Sequence, residues 1–270
     1  MSDLRESIKQ MMPAPMLGAL RDSRDWAVRA AQWPSATFHP WRRDSIRRLE
    51  ALRDIHKGER CFVMGNGPSL KNTDLSKLKN EYTFGMNRIY LAFPEMGFPT
   101  SYLVTVNDLV VEQCAADFQN MNVPRFVSWR ARKWLYPADD LYFLFTTYTG
   151  QKFGRDATRR LWEGATVTTV TMQLAYYMGF SKVILIGVDH NFTTQGKPNT
   201  TVVSQGDDPN HFSAGYFGKG FRWQLPDLDT SEVGYAIARQ AFEEDGREVV
   251  DATIGGKLQI FPKVEYDSLF

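Results

Sequence analysis

The sequence predicts an α/β fold: a mostly parallel sheet with helices on both faces, plus an N-terminal helical appendage. Three observations carry this expectation. Between residues 60 and 260, short apolar runs of strand length alternate with segments of helical periodicity, the pattern of strand–helix–strand units. Several of these runs end in polar residues, at Asn66, Asn87 and Asn107-Asp108, and in open α/β sheets ligands lie at the carboxyl ends of strands. The chain has 270 residues, 43% of them apolar, which is enough to bury such a core without a covalent or metal staple.

Residues 1–57 read as helical. Apolar residues recur at near-helical spacing through Met16, Leu17, Leu20, Trp26, Ala27, Ala30 and Trp33, with Pro34 and Pro40 as breaks. A second helix is expected from an N-cap at Asp44 or Ser45 through Ile46, Leu49, Leu52 and Ile55. Its other face carries Arg42, Arg43, Arg47, Arg48 and Arg53, either a solvated face or a surface for anionic lipid headgroups or an acidic partner. Residues 1–60 hold 12 Lys/Arg against 8 Asp/Glu, a local +4 in a chain whose net charge is +1. Nothing in that overall balance points to nucleic acid.

From residue 60 the pattern changes. Cys61-Phe62-Val63-Met64 is a buried strand running into Gly65-Asn66-Gly67-Pro68-Ser69-Leu70, and a helix is expected from Asn72 or Thr73 through Leu78. Further strands are expected over residues 82–86, 102–106, 125–129 and 141–146. Residues 166–178 read as a helix closed by Gly179, and residues 182–187 as the most apolar strand, ending in Val188-Asp189-His190. Residues 190–225, rich in Gly, Asn, Thr, Asp and aromatics, read as a structureless lid or binding loop. A helix over 231–245 and a short strand at Val249-Val250 complete a domain spanning 58–270, with residues 1–57 expected to be dispensable for its chemistry.

Composition removes several function classes. Cys61 and Cys114 fall in apolar segments and read as plain buried thiols, and no Cys/His cluster has zinc-ligand spacing. The first residues are charged and lack a signal-peptide apolar stretch, and no apolar run is long enough to span a bilayer, so a cytoplasmic location is expected. The glycine loop follows a buried strand, where backbone N–H groups and glycine's conformational freedom favour an anion such as phosphate. It lacks the Lys-Ser/Thr of a Walker loop and the third glycine of a dinucleotide fingerprint, which disfavours P-loop hydrolysis and NAD chemistry.

Gly65-Asn66-Gly67-Pro68-Ser69-Leu70, Asn87-Arg88-Ile89-Tyr90 and Ile186-Gly187-Val188-Asp189 together resemble the bacterial sialyltransferases of glycosyltransferase family 42. They also resemble the related domain of unknown function 115 family, which includes motility-associated factors and a 6-hydroxymethylpterin pyrophosphokinase. The resemblance covers roughly residues 58–262. It implies a Rossmann-like fold, a CMP-linked nonulosonic (sialic-acid-like) sugar donor, and an inverting transfer with no obligatory metal or other cofactor. It also implies work in surface glycan or polysaccharide biosynthesis, with a glycan or lipid-linked acceptor as partner. By motif position Asn66 and Asn87 are expected at the nucleotide and Thr166 and Thr168 near the donor, while Gly65, Gly67, Pro68, Ser69, Asn107, Asp108 and Asp189 are expected in the nucleotide and donor site from their places in the glycine loop and at strand ends. Where the family has threonine-serine-glycine this chain has Ala165-Thr166-Val167-Thr168. Two other readings stand beside this one: a Mg²⁺-ATP-dependent pyrophosphokinase acting on a pterin-like alcohol, and a non-catalytic nucleotide-binding component of a glycan assembly system.

A sugar transfer needs a base for the acceptor hydroxyl, and histidine suits that task near neutral pH. His211, in the lid-like segment, is the first candidate and His190, after the main strand, the second; His39 and His56 read as incidental. Tyr216 is the candidate contact for the departing phosphate, with Lys219, Arg222 and Lys257 to neutralise it and Trp223 as a sugar platform or core residue. Asp189 either orients a ligand or caps the following turn. Asp227-Leu228-Asp229 has metal-site spacing but reads as a helix start, while Asp108 and Asp189 would matter for Mg²⁺ under the pyrophosphokinase reading. The basic N-terminal helices suit peripheral contact with the inner face of a membrane, and their tryptophans suit a homo-oligomer interface.

Overall fold

A computed structural model describes residues 14–148, 150–194 and 196–270. Helix α1 (Ala14–Phe38) runs through Pro34 instead of stopping there, and the Gln32 and Trp33 carbonyls are taken up by the Ser35 and Thr37 hydroxyls. Pro40 opens helix α2 (Pro40–Glu50) at its first position, where a missing N–H costs nothing. The N-cap is therefore His39, whose Nδ1 accepts from the Trp41 N–H, and not Asp44 or Ser45.

The remaining elements alternate as expected. They are β1 (Arg60–Met64), β2 (Tyr82–Met86), the short α3 (Phe93–Met96), β3 (Tyr102–Thr105), α4 (Asp108–Gln113), α5 (Ala115–Asn120), β4 (Arg125–Ser128) and β5 (Leu141–Thr147). After these come β6 (Arg160–Trp162), α6 (Val167–Tyr177), β7 (Lys182–Ile186), β8 (Thr201–Val203), β9 (Arg222–Gln224), α7 (Leu228–Glu244) and β10 (Glu248–Asp251). Eight strands form one all-parallel sheet in the order β10-β7-β1-β2-β3-β4-β5-β6, and β8 and β9 pair antiparallel outside it.

Because side chains alternate along a strand, each strand feeds two cores. Phe62, Met64, Ile184 and Ile186 face one side, with α4, α5 and the aromatic residues of the 190–225 segment. Cys61, Val63, Val183 and Leu185 face the other, under α6 and α7. Both cysteines are buried and free, as the sequence suggests.

Four expectations need correction. The helix expected over 72–78 is replaced by two 3₁₀ turns, Pro68–Asn72 and Leu75–Leu78, since Pro68 and the Asn72-Thr73-Asp74 turn residues leave too few positions for an α-helix. Helix α7 begins at Leu228, three residues early, because Asp227 caps it by accepting from the Thr230 N–H. The three-residue strand β6 was too short to register as a period. The 190–225 segment is not structureless: it holds the β8–β9 ribbon, and Phe217 stacks on Phe221 at 4.8 Å and on Trp223 at 5.4 Å between ring centroids.

The arginine-rich face is likewise not a uniform solvated or lipid-facing surface. Arg42 is 1% exposed and donates to the Thr158 carbonyl, Arg48 donates to the Leu141 carbonyl and covers the Tyr142 ring, and Arg53 pairs with Asp156 at 3.2 Å. The Ser45 hydroxyl accepts from the Phe143 N–H of β5, and Leu49 is fully buried. The boundary expected at 57/58 thus does not follow the packing, since α2 is seated on the sheet. Leu49→Ala is expected to cost about 2–5 kcal/mol in denaturant-induced unfolding. A loss below about 1 kcal/mol would show α2 to be peripheral to the fold. No helix among the described residues is long and apolar enough to cross a membrane.

Candidate functional site

The chain enters the sheet at β1, adds β2 to β6 on one side, then crosses back to add β7 and β10 on the other. The reversal falls between β1 and β7, so a crevice is expected where their carboxyl ends part. There the two following loops interlock. The Gly65 N–H donates to the Ile186 carbonyl at 2.7 Å and the Gly67 N–H to the Gly187 carbonyl at 2.9 Å. Asp189 accepts from the Ser69 N–H at 3.0 Å and from the Ser69 hydroxyl at 2.6 Å.

This changes the reading of the glycine loop. Its glycines admit the neighbouring loop: a Cβ on Gly65 would lie 2.1 Å from the Gly187 carbonyl oxygen, and one on Gly67 would lie 1.8 Å from Asp189 Oδ2. The N–H groups of Gly65, Gly67 and Ser69, expected to meet a phosphate, are bonded within the protein. Asp189 clamps Ser69, and burial pushes its carboxyl upward despite the Ser69 bonds that oppose the rise. Pro68 opens the first 3₁₀ turn. Only Asn66 offers its side chain: Nδ2 donates to the Met86 carbonyl, while Oδ1 is buried without a partner among the described residues.

A cavity of ≈ 170 Å³ lies over these loops and under the amino end of α6. Thr166 caps that helix by accepting from the Thr168 N–H, and Thr166, Thr168 and Asn87 line the cavity. Asn87 keeps its amide in place by accepting from the Thr105 hydroxyl at 3.0 Å. Among the described residues five non-glycine residues have left-handed φ, and three of them line this one cavity: Asn87 at 49°, Ala165 at 60° and His190 at 53°. Such backbone strain concentrates at functional sites.

The 190–225 segment closes the cavity. The Phe212 N–H donates to the Asn66 carbonyl, tying the segment to the glycine loop. His211 Nδ1 lies 2.7 Å from Asp208 Oδ2, and its ring stacks on Tyr216 at 4.0 Å and 8°. Asp208 is 8% exposed, so the pair is fixed in place and Nε2 is left without a protein partner among the described residues. His190 makes the same kind of contact, its Nε2 2.8 Å from Glu232, but that carboxylate is half-exposed and His190 lines the inner cavity alone. Tyr216 is 1% exposed, its hydroxyl accepts from the Arg88 N–H, and burial pushes the phenol upward. Its ring lies under His211 and borders the adjoining outer cavity.

A second cavity of ≈ 930 Å³ opens beside the first, and Asn66, Asn87, Thr166 and His211 border both. Asn107 and Asp108, expected at the donor, line this outer lobe only. Asn107 is the N-cap of α4, accepting from the Leu109 and Val110 N–H groups, so its carbonyl is committed to the helix. Asp108 accepts from Arg130 Nε at 2.8 Å, and Arg130 Nη1 donates to Glu163 at 2.8 Å. Burial opposes the Arg130 charge, yet Glu163 and Asp108 outweigh it and hold the guanidinium above its usual value. Sequence reasoning missed Arg130 and Glu163. Glu163 precedes Gly164-Ala165, both left-handed, and that turn next to a predicted helix cap was the one available signal.

The supporting cast disperses. Arg222 pairs with Glu112, Trp223 is buried in the core, Lys219 and Lys257 are exposed away from the cavity linings, and Asp227 is a helix cap. Of the incidental histidines, His39 caps α2 and His56 bridges Glu59 and the Tyr102 hydroxyl. The carboxylates considered for Mg²⁺ separate, Asp189 to the inner lobe and Asp108 to the outer. Among the described residues no three His, Cys, Asp or Glu side chains converge as a metal cluster.

A family model described as 6-hydroxymethylpterin diphosphokinase MptE-like matches residues 42–195. The match takes in the glycine loop, Asn87, Arg130, Glu163 and Asp189, and stops before His211. Among solved structures the chain is similar to a MAf glycosyltransferase from Magnetospirillum magneticum AMB-1, with 14% identity and a TM-score of 0.50. That likeness covers 84% of this chain but 39% of the other, so this chain spans about two fifths of that protein's length. At this identity it shows a shared fold. No curated protein matches the chain.

Proposed function

The chain belongs to the 6-hydroxymethylpterin diphosphokinase MptE-like family, and from that premise we propose that it is a glycosyltransferase using a nucleotide-activated sugar. A CMP-linked nonulosonic donor is the class we assign, with surface glycan or polysaccharide biosynthesis as the setting. The observation that carries this reading is His211, hydrogen-bonded to buried Asp208, on the rim shared by two lobes. A base between two cavities suits transfer of a group between two bound molecules. The inner lobe takes the nucleotide and donor, with Asn66 and Asn87 offering amides and the amino end of α6 favouring the donor's anionic groups. Nε2 of His211 accepts the proton of the acceptor hydroxyl, that oxygen bonds to the anomeric carbon, and the nucleotide leaves with the pair of electrons from the broken bond. His190 is the second candidate, because the carboxylate that orients it, Glu232, is half-exposed and the ring lines the inner lobe alone.

The description of the family favours a second reading, Mg²⁺-ATP-dependent diphosphate transfer to a pterin-like alcohol. Thermal denaturation with CMP, CDP, UDP, GDP and ATP, each with and without Mg²⁺, separates the two. CMP is expected to stabilise the chain without metal, by about 2.7 kcal/mol at a hundredfold excess over Kd. Stabilisation by ATP with Mg²⁺ alone would replace this reading with the second. No response to any nucleotide would leave a non-catalytic component of a glycan assembly system.

A further inference from the structure

We propose that Arg88 is a positioning residue: it grips Tyr216 and, through that ring, sets the place of His211. This rests on the glycosyltransferase reading with His211 as base, and adds to it the device that ties the base to the donor lobe.

Asn87 and Arg88 are consecutive at the end of β2, yet they serve different places. The left-handed φ of Asn87, 49°, turns the chain there. Asn87 lines both lobes, whereas Arg88 lines neither and reaches the 190–225 segment instead. Its backbone N–H donates to the Tyr216 hydroxyl at 3.3 Å, and its Nη1 donates to the Tyr216 carbonyl. Both oxygens of Tyr216 thus meet one residue. The guanidinium lies 5.7 Å from the centre of the Tyr216 ring and 5.2 Å from that of Phe221, within cation–π range. Tyr90 holds the other side of the arm. Its hydroxyl accepts from Arg88 Nε at 3.3 Å and donates to Asp117 of α5 at 2.6 Å.

Tyr216 passes this placement on. It is 1% exposed, and His211 stacks on it at 4.0 Å and 8°. Asp208 holds the imidazole at Nδ1, but a hydrogen bond at one atom leaves the ring free to swing about that atom. The flat contact with Tyr216 removes that freedom. A second tie lies beside His211 in the chain, where the Phe212 N–H donates to the Asn66 carbonyl at 2.9 Å. Both tethers of the base therefore end on the stretches that carry Asn66 and Asn87, the amides assigned to the nucleotide. The base is placed relative to the donor lobe, and a misplacement of about 1 Å in such a group costs on the order of 10²-fold in rate.

The test reads the ring itself. The chain has four histidines, so in full-length protein with isotope-labelled histidine the His211 signals are identified by their absence in His211→Ala. Stacked on a phenol at 4.0 Å, the ring protons of His211 are shielded by the Tyr216 ring current. Arg88→Gln keeps the backbone N–H but loses the grip on the carbonyl and the charge over the ring. It is expected to move those signals downfield in a chain that still melts cooperatively. Tyr90→Phe removes only the hydroxyl between Arg88 and Asp117. It is expected to act in the same direction, and it decides the matter if Arg88→Gln does not fold. Release of CMP from CMP-N-acetylneuraminic acid, with water as acceptor, is read beside the spectra. Arg88→Gln is expected to lower kcat about ten- to a hundredfold with little change in KM, since Thr105 and not Arg88 holds the Asn87 amide. A residue that only adds stability would lower the melting temperature and leave the ring signals and kcat of the folded chain in place. Unmoved His211 signals in a folded variant, or a kcat equal to that of the wild type, would overturn the assignment of Arg88. A wild-type chain that releases no CMP overturns the donor reading instead, while the ring signals still decide whether Arg88 places His211.

Discussion

His211→Ala is expected to lower glycosyl transfer by about 10²–10⁴-fold, the usual cost of removing a general base, while nucleotide stabilisation of the chain changes little. The magnitude follows from how the imidazole is held. Asp208 at 2.7 Å accepts the Nδ1 proton, which fixes the tautomer with Nε2 as acceptor, and the Tyr216 ring beneath fixes the plane. Asp208→Asn is expected to lower turnover in the same direction without removing the ring. His190→Ala is the comparison, since its ring also has one nitrogen on a carboxylate, Glu232 at 2.8 Å, but lines the inner lobe alone. A transfer assay run on all three decides the matter. Near-full turnover in His211→Ala refutes the assignment, and loss confined to His190→Ala transfers the role to that residue.

Gly65→Ala is expected to be the most damaging single methyl in the crevice. Its Cβ would sit 2.1 Å from the Gly187 oxygen and 2.5 Å from the Gly187 carbonyl carbon, and both atoms are backbone at the end of β7. Backbone cannot swing aside as a side chain can, so the ends of β1 and β7 must separate. The cost is on the order of 3 kcal/mol, which for a chain of this size is roughly 6–12 °C in melting temperature. Gly67→Ala acts differently, because its Cβ meets the Asp189 carboxylate and pushes it off Ser69. A wild-type melting temperature in Gly65→Ala would mean that the two loops do not interlock as described. Neither substitution isolates ligand binding from folding, so a variant at Asn66, whose Oδ1 has no partner among the described residues, is the cleaner probe of the nucleotide.

Most strands of the sheet were legible from the apolar runs because they are buried on both faces and so read as continuous hydrophobicity, as in Val183-Ile184-Leu185-Ile186. The family was legible from three short stretches at strand ends, and the family match bears it out. Side-chain commitments were not legible. Nothing local to Asp189 announces Ser69, which lies 120 positions away, and Arg130 meets Glu163 only because two irregular segments converge beyond the sheet. The glycines misled for a related reason: close approach was correctly inferred, but the approaching group is another loop of the same chain. Pro34 misled because α1 carries the proline inside its length, where it forgoes one backbone hydrogen bond without ending the helix.

The pairing of β1 with β7 has a consequence for synthesis. Cys61 lies opposite Val183, so the strand that completes one edge of β1 is translated about 120 residues later. At about 5–20 residues per second, a nascent chain carries that apolar edge unpaired for roughly 6–24 s. An N-terminal fragment ending between residues 70 and 181 holds the glycine loop but not the strand it locks into. The cleft is therefore among the last features to form, and a ligand of that cleft acts on the finished protein and does not template its early folding.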